Sequence, residues 1–273
     1  MSWRLTNDLD EFATAAGDFL SARPVQHTVF LTIVDALRRR GLRAFGPSDP
    51  LFGYWRTASG AVDGVFLRTP PHPMLVSAVP PEAAEAVPQA SEVNLPAEAA
   101  EILAAAWQRR TGHRPAEGRR TRLYRLESLT EPSPPGRARL ATPADRELLM
   151  EWHEAFYAET GGEGFSGLGD VIDDRIGYGG QLIWEDEGRP VAMASHSRPD
   201  SGMARVLIVY TPPADRGHGY AAGATVAATR SAQATGVTEV VLNTDAANPT
   251  SNRLYQRLGY RPVEDRVILE FAA

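Results

Sequence analysis

Six consecutive residues, Arg216-Gly-His-Gly219-Tyr-Ala221, bring together a fixed positive charge, two glycines and the start of a helix. They follow the apolar, β-like run Val206-Leu-Ile-Val-Tyr210 and open an alanine-rich stretch that reaches Ala234. A strand, a glycine-rich turn and a helix N-terminus make an anion site. The first N–H groups of a helix have no intrahelical partner, and the helix dipole favours negative charge there. Gly217 and Gly219 permit close backbone approach, and the Arg216 guanidinium suits a phosphate. The chemistry to expect is the binding of a pyrophosphate-bearing cofactor. A plain strand–loop–helix connection is the bland alternative.

Gly217-His-Gly219-Tyr-Ala-Ala222 also fits the dinucleotide pattern G-x-G-x-x-G/A. In a dinucleotide fold the first glycine follows its strand almost directly. Here Thr211 to Arg216 intervene, and Pro212 and Pro213 end the strand because proline cannot donate to a sheet ladder. Glu239 and Asp245 stand near the distance of a ribose-binding acid, so a dinucleotide remains an alternative.

Downstream, Val237-Thr-Glu-Val-Val-Leu242 reads as a strand. Asn248-Pro-Thr signals a turn and a helix start, and Gly259 a helix stop. Asn252 and Tyr255, three apart, share a helix face. Val267-Ile-Leu-Glu-Phe271 closes as another strand. With both segments in view, the stretch from about Arg139 to Phe271 resembles the GNAT N-acetyltransferase superfamily. Arg216-Gly-His-Gly219-Tyr-Ala221 matches the family's Q/R-x-x-G-x-G/A signature, and Asn248…Asn252…Tyr255…Gly259-Tyr260 matches N-x-x-x-N-x-x-Y-x-x-x-G-F/Y.

The resemblance implies an α/β fold with a mixed, α+β type of sheet, acetyl-CoA as co-substrate and an amine as acceptor. It lays the pantetheine arm along the strand that includes Ile208, Val209 and Tyr210, by strand-like hydrogen bonding. It sets the pyrophosphate against Arg216, Gly217, His218, Gly219, Tyr220 and Ala221. Asn248 and Asn252 would position the cofactor, or else serve only as turn and helix-start residues. Tyr255 resembles the family's tyrosine beside the sulfur, where a phenol of pKa ~10 suits a departing thiol; as sequence alone, it also fits a core aromatic. Some family members place a glutamate on the strand before the pyrophosphate loop. Ala204-Arg-Val-Leu-Ile-Val-Tyr210 holds no acid. His196 is therefore the first candidate base, with its near-neutral pKa. Glu154, Glu159 and Glu163 come second, His153 is weaker still, and His218 is better suited to touching phosphate.

Composition narrows the class. The chain has 273 residues, 43% hydrophobic, and no cysteine, which excludes disulfides, thiolate metal sites and a cysteine nucleophile. A net charge of −6 argues against generic nucleic-acid binding, and the Lys+Arg total of 28 is arginine throughout. No run approaches membrane-spanning length and the start lacks an apolar leader core, so a cytoplasmic protein, monomer or homodimer, is expected. No histidine–carboxylate cluster points to a metal. Gly164-Phe-Ser166-Gly-Leu168 misses the nucleophile elbow at its last glycine. The glycine-rich stretch Gly161 to Gly169 reads as an acceptor-side loop or a simple connection.

Glu131-Pro-Ser-Pro-Pro-Gly136 reads as a linker, and its two sides look related. Arg4-Leu5 and Asp10 repeat as Arg139-Leu140 and Asp145. Trp55 and Met74 repeat as Trp184 and Met203, and Trp107-Gln-Arg as Tyr255-Gln-Arg. The first copy has no counterpart of the arginine–glycine loop or of the long helix after it. Two GNAT-like domains in tandem are expected: a degenerate one over 1–130, the linker 131–136, and an acetyltransferase domain over 137–273. The alternatives are an acyl-CoA-binding module without transfer activity and an NAD(P)-dependent oxidoreductase.

Overall fold

The computed structural model of the chain describes residues 2–161 and 167–271. The first half runs β1 (Ser2–Thr6), α1 (Leu9–Ser21), α2 (Thr28–Arg40), β2 (Leu51–Arg56), β3 (Val62–Arg68), β4 (Met74–Val76), α3 (Pro81–Glu85), β5 (Glu92–Pro96), α4 (Ala100–Thr111) and β6 (Ala116–Leu126). The second runs β7 (Arg137–Leu140), α5 (Arg146–Thr160), α6 (Leu168–Gly177), β8 (Gln181–Asp186), β9 (Arg189–His196), β10 (Met203–Tyr210), α7 (Tyr220–Ala234), β11 (Glu239–Asp245), α8 (Pro249–Arg257) and β12 (Tyr260–Glu270). Helices and strands follow one another in the same order in both halves. Trp55 and Trp184 lie on the corresponding strands β2 and β8, and Met74 and Met203 open β4 and β10. Where α7 has 15 residues, α3 has 5, which is the helix the first copy lacks.

Contacts gather the chain into two units. One comprises Met1–Leu123, Thr244–Asn248 and Pro262–Ala273; the other comprises Tyr124–Asn243 and Pro249–Arg261. In the first unit the strands are ordered β1-β2-β3-β4-β5-β12. Here β4 and β5 are parallel (Met74↔Val93, Leu75↔Asn94) and β12 is antiparallel to β5 (Arg266↔Pro96 to Glu270↔Glu92). Asp8 caps α1 by accepting from the Asp10 and Glu11 N–H groups, and Phe12, Ala16 and Leu20, spaced by four, form its buried face. Phe66, Val76, Val93, Leu95, Leu103, Val267 and Leu269 belong to one core cluster of this unit.

In the second unit the order is β11-β10-β9-β8-β7. The β10–β11 pair is parallel and the others are antiparallel. One cluster packs α7 and α8 with Val206, Val240 and Leu242; another packs α5 and α6 with Ile183, Met193 and Tyr210. Thr142 and Asp145 form a capping box ahead of α5. Arg139, hydrogen-bonded to both Asp145 oxygens at 2.7 and 2.8 Å, holds that carboxyl down to about 2.

Residues 131–136 lie within this second unit and are tied to it. The Trp184 Nε1–H donates to Pro135 O at 2.8 Å, and Glu131 pairs with Arg230. A Cβ on Gly136 would stand 2.1 Å from Glu185 O, so only glycine passes there. Residues 162–166 of the glycine-rich stretch, including the candidate base Glu163, lie outside the described residues.

Candidate active site

Strand β10 opens the site. Its parallel ladder with β11 runs from Met203↔Glu239 to Val206↔Leu242 and stops, although β10 continues to Tyr210. On its other edge, Leu207 faces Ser195 and Tyr210 faces Met193, so β10 holds one residue more than β9 across this interval. Such a bulge bends the strand and leaves a residue unpaired. Ile208 and Val209 lie in the bulge, past the last β10–β11 pair. Among the described residues, neither the β10–β11 nor the β10–β9 register pairs them.

The loop after β10 has distinctive backbone geometry. Gly217 (φ 88°) and Gly219 (φ 83°) occupy left-handed backbone that disfavours side chains. Gly219 is the N-cap of α7 and provides no side-chain cap. Among the described residues, no hydrogen bond uses the N–H groups of residues 217–221. Five N–H groups are thus left without a described partner at the start of the 15-residue α7, the positive end of its dipole. The loop is braced from behind: Arg189 makes two hydrogen bonds to Asp215 at 2.8 and 3.1 Å, and the Tyr220 hydroxyl donates to Asp186. His218 stacks on Tyr220 at 5.3 Å. The small-residue start of α7 has a specific use, since a Cβ on Gly223 would lie 2.8 Å from the Trp184 ring.

Arg216 is held in place by a carboxylate. Its Nε–H donates to Thr211 O at 3.0 Å, and its terminal nitrogen reaches both oxygens of Glu159 at 2.8 and 2.6 Å. Glu159, near the C-terminus of α5, also accepts from the Tyr210 hydroxyl at 3.3 Å, and the guanidinium lies 6.0 Å from the Tyr210 ring centre. A phosphate group at the loop would compete with Glu159 for this cation.

Tyr255 and Asn252 are the buried residues of α8, as their spacing requires. Tyr255 belongs to the cluster that contains Val206 and Leu242, where the strands part. Its ring neighbours are Tyr124 and Tyr260, at 6.4 and 6.3 Å. No described residue hydrogen-bonds its hydroxyl. Burial pushes its phenol up to about 12, well above the ~10 of an ordinary tyrosine. Asn252 Oδ1 accepts from the Tyr124 hydroxyl at 2.8 Å, which in turn accepts from Gln256 at 3.3 Å. Asn248 stands exposed at the turn before α8, its N–H donating to Asp245 O at 3.1 Å.

The histidines are otherwise occupied. His196 is buried on β9, with Nδ1 2.9 Å from Ser197 O and Nε2 3.0 Å from Ser231 Oγ, and burial lowers its pKa. A carbonyl only accepts, so Nδ1 carries the proton and the serine hydroxyl donates to Nε2. His153 is fully buried, bonded to Leu149 O at 2.7 Å and to Arg175 at 3.2 Å. Burial and then Arg175 bring it down to about 4, so it is neutral at pH 7. Glu154 is exposed on α5.

Sequence reading missed Tyr124, the brace on Asn252. It sits on β6, far from either motif, and only the alternation of Leu123-Tyr-Arg-Leu126 marks it as a strand residue. The Glu159–Arg216 pair spans 57 positions, and no spacing rule links two residues so far apart.

Residues 145–260 match the model of the Acetyltransferase (GNAT) family, a span that includes the bulged strand, the glycine loop and Tyr255. The chain contains a GNAT acetyltransferase domain. Solved structures share its fold over nearly the whole length. A GNAT-family acetyltransferase from Colwellia psychrerythraea aligns at TM-score 0.66 and 11% identity, covering 100% of each chain. A GCN5-related N-acetyltransferase from Sphaerobacter thermophilus aligns at TM-score 0.59 and 16% identity, covering 98% of this chain and 95% of its own. One from Kribbella flavida reaches TM-score 0.54 at 23% identity, covering 89% and 96%. No curated protein matches the chain in sequence. With this coverage the fold is the mixed α/β fold of these structures, and its two halves repeat one order of elements, the first with no full-length counterpart of α7. Among the described residues no three His, Asp or Glu side chains gather as metal ligands, and no helix is long and apolar enough to cross a membrane.

Proposed function

We propose that the GNAT domain of the second unit transfers an acetyl group from acetyl-CoA to an amine. One juxtaposition supports the reading: the free N–H groups of residues 217–221 follow a strand whose edge is open at Ile208 and Val209, and the Tyr255 hydroxyl has no described partner. The first group fits a diphosphate, the second an extended amide-bearing arm, and the third a group arriving with the ligand. Acetyl-CoA, when bound, supplies an activated acyl group to a neutral amine. Ile208, Val209 and Tyr210 would hold the arm, and Arg216 to Ala221 the diphosphate. Asn252, fixed by Tyr124, would shape the approach.

Tyr255 acts as a hydrogen-bond donor rather than as a full acid. Its phenol at about 12 lies ~3.5 units above a thiol of pKa ~8.5. Complete proton transfer to the departing sulfur would be uphill by ~5 kcal/mol. A phenol that keeps its proton still stabilises developing negative charge. No carboxylate stands on β10, and both His196 nitrogens are bonded, so we assign the amine's proton to water. The kcat/KM profile should then rise with pH along the acceptor amine's own titration.

The free N–H groups and the open strand edge also favour a second reading, a domain that binds acyl-CoA without transferring the acyl group. A thermal-shift panel of acetyl-CoA, longer acyl-CoAs and NADPH, followed by thiol release over an amine library, separates these readings. Stabilisation by acetyl-CoA with thiol release supports transfer, and stabilisation without release across the library supports the binding module. A shift with NADPH alone removes both.

A further inference from the structure

The first unit has a cavity that the acetyl-transfer chemistry of the second does not use. It encloses about 420 Å³, within the ~300–1,000 Å³ of small-molecule sites, and all its lining residues belong to this unit. Two parallel strands lead to it. After β4 ends at Val76 and β5 at Pro96, the following residues Ala78, Ala97 and Glu98 form part of the wall. The crevice beyond the carboxyl ends of parallel strands is where open α/β sheets bind ligands. The α1–α2 connection adds Arg23, Gln26 and His27, and β12 adds Glu264 and Arg266.

The polar wall also holds Gln26, Asp265, which accepts from Arg122 at 2.6 and 2.7 Å, and two arginines, Arg23 and Arg266. Arg266, 5% exposed, is consumed within the fold. Its Nε–H donates to Asn94 Oδ1 at 2.9 Å, one terminal nitrogen to Val76 O and Asn94 O at 2.6 and 3.0 Å, and the other to Glu264 Oε1 at 3.0 Å. Four of its five donors are therefore spent on strand ends and on Glu264. His27 is 4% exposed, and its Nδ1 lies 3.1 Å from Leu20 O. That carbonyl can only accept, so the proton sits on Nδ1 and Nε2 offers a lone pair. Among the described residues no hydrogen bond reaches Nε2. Burial keeps the ring below its ordinary pKa and therefore neutral, an acceptor at pH 7. The second oxygen of Glu264 and the exposed carboxylate of Glu98 complete the set. Burial raises the Glu264 pKa, the Arg266 guanidinium opposes that rise, and the Glu98 carboxylate adds to it. Arg23 stands exposed at the wall, and its charge, with that of Arg266, adds to burial in keeping His27 neutral.

A buried, neutral acceptor nitrogen beside two carboxylates is complementary to a group with several N–H donors and a positive charge. We propose that this cavity of the first unit binds a small primary ammonium compound, with His27 Nε2, Glu264 and Glu98 receiving its N–H groups. The site is separate from the acetyl-transfer motifs and does not depend on their activity. It would give the half that lacks the cofactor loop a ligand of its own.

Isothermal titration of the full chain with n-butylamine, n-butyrate and n-butanol tests the assignment, since the three differ in the head group. The amine should bind and the others should not. Glu98→Gln, at an exposed position outside the hydrogen bonds that hold Arg266, should weaken amine binding about 1.5- to 5-fold, the level of an exposed ion pair. His27→Phe should do the same, whereas Tyr255→Phe should leave it unchanged. The thermal shift by acetyl-CoA should be the same in all the variants, which keeps this site distinct from the transfer site. Amine affinity unaltered in Glu98→Gln, preferential binding of butyrate, or no amine binding in a protein that still responds to acetyl-CoA would each overturn the assignment.

Discussion

Replacing Glu159 by Gln should tighten acetyl-CoA binding, an unusual direction for a change beside a binding loop. In the free protein Glu159 holds Arg216 through both carboxylate oxygens. The two side chains are 43% and 49% exposed, so the pair contributes at the level of surface ion pairs, ~0.2–1 kcal/mol. A diphosphate that draws Arg216 away must overcome that amount. Glutamine keeps the length and one acceptor but removes the charge. The dissociation constant should therefore fall about 1.5- to 5-fold, following the ~1.4 kcal/mol per decade of affinity. The gain should shrink as salt rises, because exposed charges are screened over ~8–10 Å at physiological ionic strength. Calorimetry with acetyl-CoA at two salt concentrations reads both effects. Acetyl-pantetheine, which lacks the nucleotide diphosphate, serves as the control and should bind both proteins equally. Unchanged or weaker acetyl-CoA binding by the variant, or an equal gain for acetyl-pantetheine, would refute competition between Glu159 and the diphosphate for Arg216.

Tyr255→Phe removes a hydroxyl with no described partner, so the midpoint of unfolding should move by no more than ~0.5 kcal/mol. Turnover should fall by ~10- to 100-fold, the loss expected for a hydrogen bond to a charged atom, with cofactor affinity retained; an unchanged kcat would remove Tyr255 from the chemistry. His153 takes up a proton near pH 4 in the folded state and near 6.5 in the unfolded chain. Its contribution is therefore complete above pH 6.5 and is lost as pH falls toward 4, by about 2 kcal/mol at pH 5. Urea titrations at pH 7 and 5 should show that loss in the wild type and a smaller one in His153→Gln; parallel slopes would contradict it. Two glycines in helices should respond oppositely to alanine. Gly223→Ala drives a Cβ to 2.8 Å from the Trp184 ring and should lower the melting temperature, whereas Gly17→Ala meets nothing within 4 Å and should raise stability by ~0.5–1 kcal/mol. Thermal melts that rank the two variants the other way round would show that contact with Trp184 does not govern position 223.

The glycine loop was legible in the sequence because its requirements are local. Positive φ at Gly217 and Gly219, prolines that stop the strand, and free N–H groups at a helix start all depend on neighbouring residues. The repeat was legible for a similar reason, since Trp55 and Trp184, or Met74 and Met203, mark the same positions in elements of the same order. The role expected of His196 was not decided by its sequence position. Its two ring partners, Ser197 O and Ser231 Oγ, come from the strand end and from α7, and a strand histidine in isolation gives no sign of them.

The sequence by itself determined the order of elements, the glycine turn ahead of α7, the buried face of α8 and the absence of an acid on β10. Those follow from residue type, spacing and the backbone rules of glycine and proline. Only the tertiary structure decided which groups are free to act. Burial moves the Tyr255 phenol up to about 12, Glu159 engages Arg216 from 57 positions away, and Tyr124 fixes Asn252 from 128 positions away. The physical reason is the same in each case. Desolvation and hydrogen-bond partnership depend on what is near in space, and the chain places those partners far apart in sequence.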